Sequence, residues 1–147
     1  MDQQSVCVLY MQYKDGMFRY ILSVCKDPQL AEDVVQDAFV KVLMDGIRCA
    51  PGKEQAWLYR VARNLCYNQL HRRKREQRAI VPPAIQEPQY EYIERIASLS
   101  PRDQEIVTLK IIGGLTHQEI GAVLGVTAKA AQKRYERAIA ALRGKET

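Results

Sequence analysis

Apolar residues recur at helical spacing through almost the whole of this chain, and the pattern fails once, between Ala79 and Glu91, where VPPAIQEPQ gathers three prolines. Proline has no amide donor and clashes with the preceding turn, so no regular helix continues through Pro82, Pro83 and Pro88. A chain of 147 residues divided in this way is limited to helix packed on helix in two small units. The expected units are residues 1–78 and 92–147, joined by an extended, semi-rigid linker over 79–91. The fold class is all-α.

The first unit opens with Val6, Leu9, Tyr10, Tyr13, Met17, Tyr20, Ile21 and Val24, spaced close to the ~3.6 residues of a helical turn. Gly16 interrupts this pattern, at a cost of up to ~1 kcal/mol relative to alanine. Asp27-Pro28 predicts a second helix, with a capping carboxylate followed by proline at the first helical position. That helix runs through LAEDVVQDAFVKVL to Gly46 and buries Leu30, Val34, Ala38 and either Val42 or Leu43. Pro51-Gly52 marks Ile47 to Lys53 as a loop.

Charge is concentrated in the next segment. Lys53 to Arg78 carries eight cations against two anions, whereas residues 1–52 carry five against seven and residues 79–147 nine against eight. Leu58, Val61, Ala62 and Leu65 give this segment one helical face for a core. Arg60, Arg63, Asn64 and Tyr67 then face elsewhere, ahead of His71-Arg72-Arg73-Lys74-Arg75. Cations, an amide and an aromatic ring suit a polyanion with accessible bases, although basic helices are commonly just solvated faces. Trp57 is read as a core residue in preference to a stacking platform.

After the linker, Tyr92, Ile93, Ile96 and Leu99 start a new apolar set. Ser100-Pro101 caps one helix, Gly113-Gly114 ends it, and Thr116 with Glu119 forms a capping box for the next. Gly125-Val126 makes a turn, and Thr127 caps the last helix. This is the helix-turn-helix pattern, with Ile120, Val123, Leu124 and Val126 expected against Ala131, Tyr135, Ala138 and Leu142. Lys129, Gln132, Lys133, Arg134, Glu136 and Arg137 are left for the outer side, where Lys or Arg can reach guanine, Gln can pair with adenine and the remaining cations can contact phosphates.

Other functions find little support. Cys7, Cys25, Cys49 and Cys66 lie 18, 24 and 17 residues apart, which matches no zinc or disulfide framework, and they are read as small buried hydrophobes. His71 and His117 sit in no metal-binding pattern, so no metal, cofactor or catalytic centre is expected. MDQQS lacks the features of a secretory signal, and no apolar run could span a bilayer; the expected location is cytoplasmic.

Three blocks together resemble the sigma-70 class of bacterial sigma factors in its small extracytoplasmic-function form. LAEDVVQDAFVKVL is similar to the region-two helix that docks on the coiled coil of the polymerase largest subunit. AWLYRVARNLCYNQLHRRKR is similar to the adjoining helix that engages the −10 promoter element. Leu99 to Arg143 resembles region four, which reads the −35 element. The resemblance implies a factor without catalytic activity that binds core RNA polymerase and directs promoter-specific initiation, with an anti-sigma factor as a further partner. It assigns core binding to Asp33, Gln36 and Asp37, which share one helix edge. It assigns the −10 element to Asn64 for base contact and to Arg60, Arg63, Arg72 and Arg73 for phosphates. The −35 element falls to Lys129, Gln132, Lys133, Arg134 and Arg137. The linker is expected to thread toward the polymerase active site and RNA exit path, or to be a plain spacer. TAKAAQKRYER departs from the family's usual recognition-helix residues, which leaves the −35 sequence preference open. The alternative is a self-sufficient regulator of the response-regulator effector type, which accounts for residues 99–143 alone. An enzyme acting on nucleic acid lacks an acidic cluster or a paired nucleophile.

Overall fold

The computed structural model describes residues 3–76 and 89–146, so the linker prolines and the boundary at residue 78 lie outside the described residues. The described residues form seven helices and no strand: α1 (Gln3–Cys25), α2 (Pro28–Asp45), α3 (Glu54–Glu76), α4 (Gln89–Ile96), α5 (Pro101–Ile111), α6 (His117–Leu124) and α7 (Ala128–Glu146). α4 begins three residues inside the expected linker and brings Ile93 into the core with Tyr92 half-buried beside it.

Helix starts follow local chemistry. The Asp27 carboxylate accepts from the Gln29 and Leu30 amides at 3.0 and 3.2 Å, and Pro28 opens α2. Ser100 Oγ accepts from the Asp103 amide at 3.2 Å, and Thr116 and Glu119 exchange side-chain and backbone bonds at 3.1 and 3.0 Å. Each satisfies amides that a helix leaves unpaired in its first turn. Gly125, at φ 75°, closes α6 in the left-handed region that glycine enters without a Cβ penalty.

α1 and α2 form a hairpin with Tyr10 edge-on to Phe39, ring centres 5.0 Å apart. α3 lies across both, and α5 and α6 pack onto α1 and α3, so that residues of both halves share one apolar cluster. Its centre is a stacked pair, Tyr20 and Tyr59, with ring centres 5.6 Å apart. Tyr59 fits because glycines stand where its ring and hydroxyl pass: a Cβ on Gly16 would collide with its Oη, and one on Gly113 would press its ring edge at 3.3 Å. The helix-weakening Gly16 is therefore a packing requirement.

Several burial expectations change. Val42 is buried in α2, while Leu43 is exposed. The buried face of α3 is broader than the expected stripe, with Leu58, Tyr59, Ala62 and Cys66 innermost and Val61 and Leu65 half-buried, because α3 is packed on two sides. Trp57 is half-buried against the core. Among the cysteines only Cys66 is buried; Cys25 and Cys49 are intermediate, and Cys7 is exposed, one step around the helix from buried Val6. Ala138 and Leu142 join Ile96, Leu99 and Val107 in a second cluster, leaving Ala131 with the α6 residues. No described helix is long and apolar enough to cross a membrane.

Candidate nucleic-acid and partner interfaces

Asp33, Gln36 and Asp37 are all exposed on the outer edge of α2. Val40 and Met44 continue that edge one and two turns on, at 54% and 79% exposure, with Leu43 beside them at 51%. The sequence pattern left Val40 and Met44 without a role and Leu43 as the alternative to Val42 for the buried side. Their signal was apolar residues standing off the buried stripe, which becomes legible only once Val42 takes the inner position. A polar edge continued by bare apolar side chains is the composition of a protein contact, with anchors beside orienting charges.

On α3, Arg60, Asn64 and Arg72 are exposed, and His71 and Arg75 extend the same face. Asn68, His71, Arg72, Lys74 and Arg75 line a shallow groove. Two expected phosphate contacts are otherwise engaged. Arg73 Nη1 donates to Asp27 Oδ2 at 2.8 Å, tying the end of α3 to the start of α2. Burial of Asp27 opposes ionisation, but Arg73 and the Leu30 and Gln29 amides outweigh it and hold the carboxyl below its usual range. A depressed carboxyl stabilises the fold above its unfolded value, about 3.9, and loses that contribution as pH falls through the folded value. Asp27→Asn retains a capping oxygen but not the charge. It is expected to cost about 1 kcal/mol at neutral pH, since Arg73 is partly solvent-screened, with the deficit shrinking in acid-unfolding curves below about pH 4 and vanishing once pH falls past the depressed folded value.

Arg63 is more deeply engaged. Its Nε donates at 2.8 Å to Oε1 of Glu105, a carboxylate on α5 whose residue is 3% exposed. The Tyr20 hydroxyl donates to the same oxygen at 2.6 Å, and the Tyr67 hydroxyl donates to Oε2 at 2.7 Å. The Arg63 guanidinium also lies 4.6 Å from the Tyr67 ring centre. Burial first, and Glu105 second, push the Tyr20 and Tyr67 hydroxyls above the ordinary tyrosine value, so both remain donors at neutral pH. Lys26 Nζ donates to Gln104 Oε1 at 2.7 Å, and Gln55 Nε2 to the Gly113 carbonyl at 2.6 Å. These bonds join the halves through polar groups, and Arg63 and Tyr67 face inward where the apolar stripe had implied an outward direction. Glu105 had no signal in sequence, because its partners lie 38 to 85 residues away.

On α7, Lys129, Gln132, Lys133, Glu136 and Arg137 are exposed at spacings of three and one, a single strip along the helix. Thr127 Oγ1 accepts from the Ala130 amide at 3.1 Å and fixes the helix start. Arg134 is half-buried, with Nη1 shielded from solvent and making no hydrogen bond among the described residues, so it lies apart from that strip. α6 crosses beneath α7 with Gly121 against the backbone of Val126, Thr127 and Ala128, as a helix-turn-helix requires.

A helical unit with a basic face followed by a helix-turn-helix defines a two-part DNA-binding architecture. Residues 9–76 match Sigma-70 region 2 and residues 90–142 match Sigma-70, region 4. The chain belongs to the sigma-70 family, in its extracytoplasmic-function branch. It is 30% identical over 146 residues to the ECF RNA polymerase sigma factor SigE of Mycolicibacterium smegmatis, covering 88% of this chain but 56% of that protein. It is 26% identical over 132 residues to the ECF RNA polymerase sigma factor SigM of Bacillus subtilis, covering 81% of each. In fold it resembles the sigma factor RpoE of Bartonella quintana, solved in complex with the anti-sigma factor NepR, with a TM-score of 0.79 at 23% identity over 96% of both chains. It also resembles CnrH, solved in complex with the cytosolic domain of CnrY, with a TM-score of 0.73 at 24% identity over 97% of this chain and 88% of that one.

Proposed function

We propose that the chain binds bacterial core RNA polymerase and directs promoter-specific initiation, performing no catalytic step of its own. The observation that carries this reading is the pairing of an exposed docking edge on α2 with two separate basic faces, on α3 and α7, in one chain. Asp33, Gln36 and Asp37 orient the edge toward polymerase, and Val40 and Met44 supply apolar anchors. Arg60, Asn64 and Arg72 engage the −10 element, joined by Arg63 and Arg73 when their carboxylate partners release them. Lys129, Gln132, Lys133 and Arg137 meet the −35 element, with Arg134 at the margin.

The functional division follows residues 1–78, 79–91 and 92–147, and the site of action is the cytoplasm, where promoter DNA lies. Regulation falls to an anti-sigma factor covering the docking and DNA faces, a reading supported by the partners named for the two fold relatives. Each DNA face is small, so tight specific binding requires both to act together on the polymerase. Gel filtration of the purified protein with core polymerase should give a stoichiometric complex that starts transcription from promoter fragments. A dimer that protects duplex DNA while ignoring polymerase would overturn this function and favour the response-regulator alternative.

A further inference from the structure

The carboxylate of Glu105 occupies a position that a nucleic-acid phosphate could take. Its described hydrogen bonds all come from the other half of the molecule: Tyr20 on α1, and Arg63 and Tyr67 on α3. The three donors form a socket with two hydroxyls and one guanidinium converging on a single anion. A carboxylate buried without partners would be strongly disfavoured, so Glu105 stays inside only while the socket holds it. Conversely, Arg63 and Tyr67 belong to the helix that carries the exposed Arg60 and Asn64. The Arg63 side chain is only 23% exposed while Glu105 is in place. One guanidinium cannot pair at full strength with a buried carboxylate and an incoming phosphate at the same time.

We propose that Tyr20, Arg63 and Tyr67 form an anion socket for which Glu105 and a backbone phosphate of promoter DNA compete, so that Glu105 latches the two halves together and restrains DNA binding until they part. The inference rests on the promoter-binding function above. The polar contacts beside the socket suit reversible closure, since the Lys26 to Gln104 and Gln55 to Gly113 bonds exchange for bonds to water when the halves separate, while the apolar cluster shared by the halves holds the closed state dominant. DNA binding through the socket draws on the fraction of molecules with Glu105 released, which weakens the apparent affinity in proportion.

Glu105→Gln retains the shape and removes the charge. The free variant is expected to bind a fluorescent single-stranded −10 oligonucleotide about tenfold more tightly than wild type as the competent fraction rises, with a larger radius of gyration in solution scattering. Adding Arg63→Gln should abolish the gain, which a merely structural role for Glu105 would not predict. Gln55→Ala removes a bond between the halves and leaves Tyr20, Arg63 and Tyr67 intact, so it should give a smaller gain in the same direction, and it decides the matter if Glu105→Gln fails to fold. Unchanged or weaker oligonucleotide binding in the folded variants, or a gain that survives loss of Arg63, would overturn the latch. Core-polymerase binding by wild type, scored in parallel, reports separately on the underlying function.

Discussion

Asp33→Lys combined with Asp37→Lys is expected to lower core-dependent transcription by about a hundredfold while leaving the unfolding midpoint unchanged. Both side chains are exposed on the outer edge of α2, and neither supports a described tertiary contact. Reversing their charge therefore disturbs little within the fold. At an interface the effect is different, because a charge opposite a cation becomes a repulsion and its former partner loses a bond. Truncating one member of a hydrogen-bonded interfacial charge pair typically costs about 2–5 kcal/mol, and about 3 kcal/mol already gives a hundredfold in affinity. Transcription from a promoter fragment at limiting factor, alongside a thermal melt, checks both halves of the prediction. Full activity in the double variant would remove this edge from the polymerase contact.

Gly121→Val is expected to lower the melting midpoint by about 10 °C and to abolish −35 recognition. A Cβ at Gly121 would meet the Val126 carbonyl oxygen, the Thr127 carbonyl carbon and the Ala128 amide nitrogen, all backbone atoms with no rotamer to yield. The Gly121 carbonyl also accepts from the Gly125 and Val126 amides at 2.8 and 2.9 Å, so the crowded strand of chain is the turn itself. Overpacking of this kind costs about 1–3 kcal/mol, and in a chain of this size each kcal/mol moves the midpoint by roughly 2–4 °C. The reorientation of α7 relative to α6 would displace Lys129, Gln132 and Lys133 together. Calorimetry and a footprint over the −35 element with core polymerase bound measure the two effects; an unaltered midpoint would mean the turn relaxes freely.

What sequence could disclose depended on how far apart the interacting groups lie. The caps at Asp27, Ser100 and Thr116 were legible because donor and acceptor are two or three residues apart. The buried stripes of α1 and α2 were legible from periodicity, down to the ambiguity between Val42 and Leu43 that packing resolved. α3 was harder, since a helix covered on two sides buries more than one stripe, and nothing near Arg63 or Tyr67 in sequence points to Glu105. The pairing of Arg73 with Asp27 was hidden for the same reason. Val40, Leu43 and Met44 were visible as apolar residues, but their exposure emerged only from the packed fold. Gly121 carried no turn signal because it lies inside α6, and its purpose is the chain crossing above it.

The slot that receives Tyr59 also constrains how the gene can change. Gly16 belongs to α1, Tyr59 to α3 and Gly113 to the turn after α5. A larger residue at position 16 meets the tyrosine hydroxyl and one at 113 meets the Leu109 carbonyl oxygen as well as the ring edge, while a smaller residue at 59 leaves a void that neither glycine can fill. Mutational drift at any one of these sites is therefore conditional on the other two. Descendants of this chain should carry the glycine–tyrosine–glycine set as a single inherited unit, with compensating exchange open to positions 16 and 59 but not to 113, where the Leu109 backbone also bars a side chain.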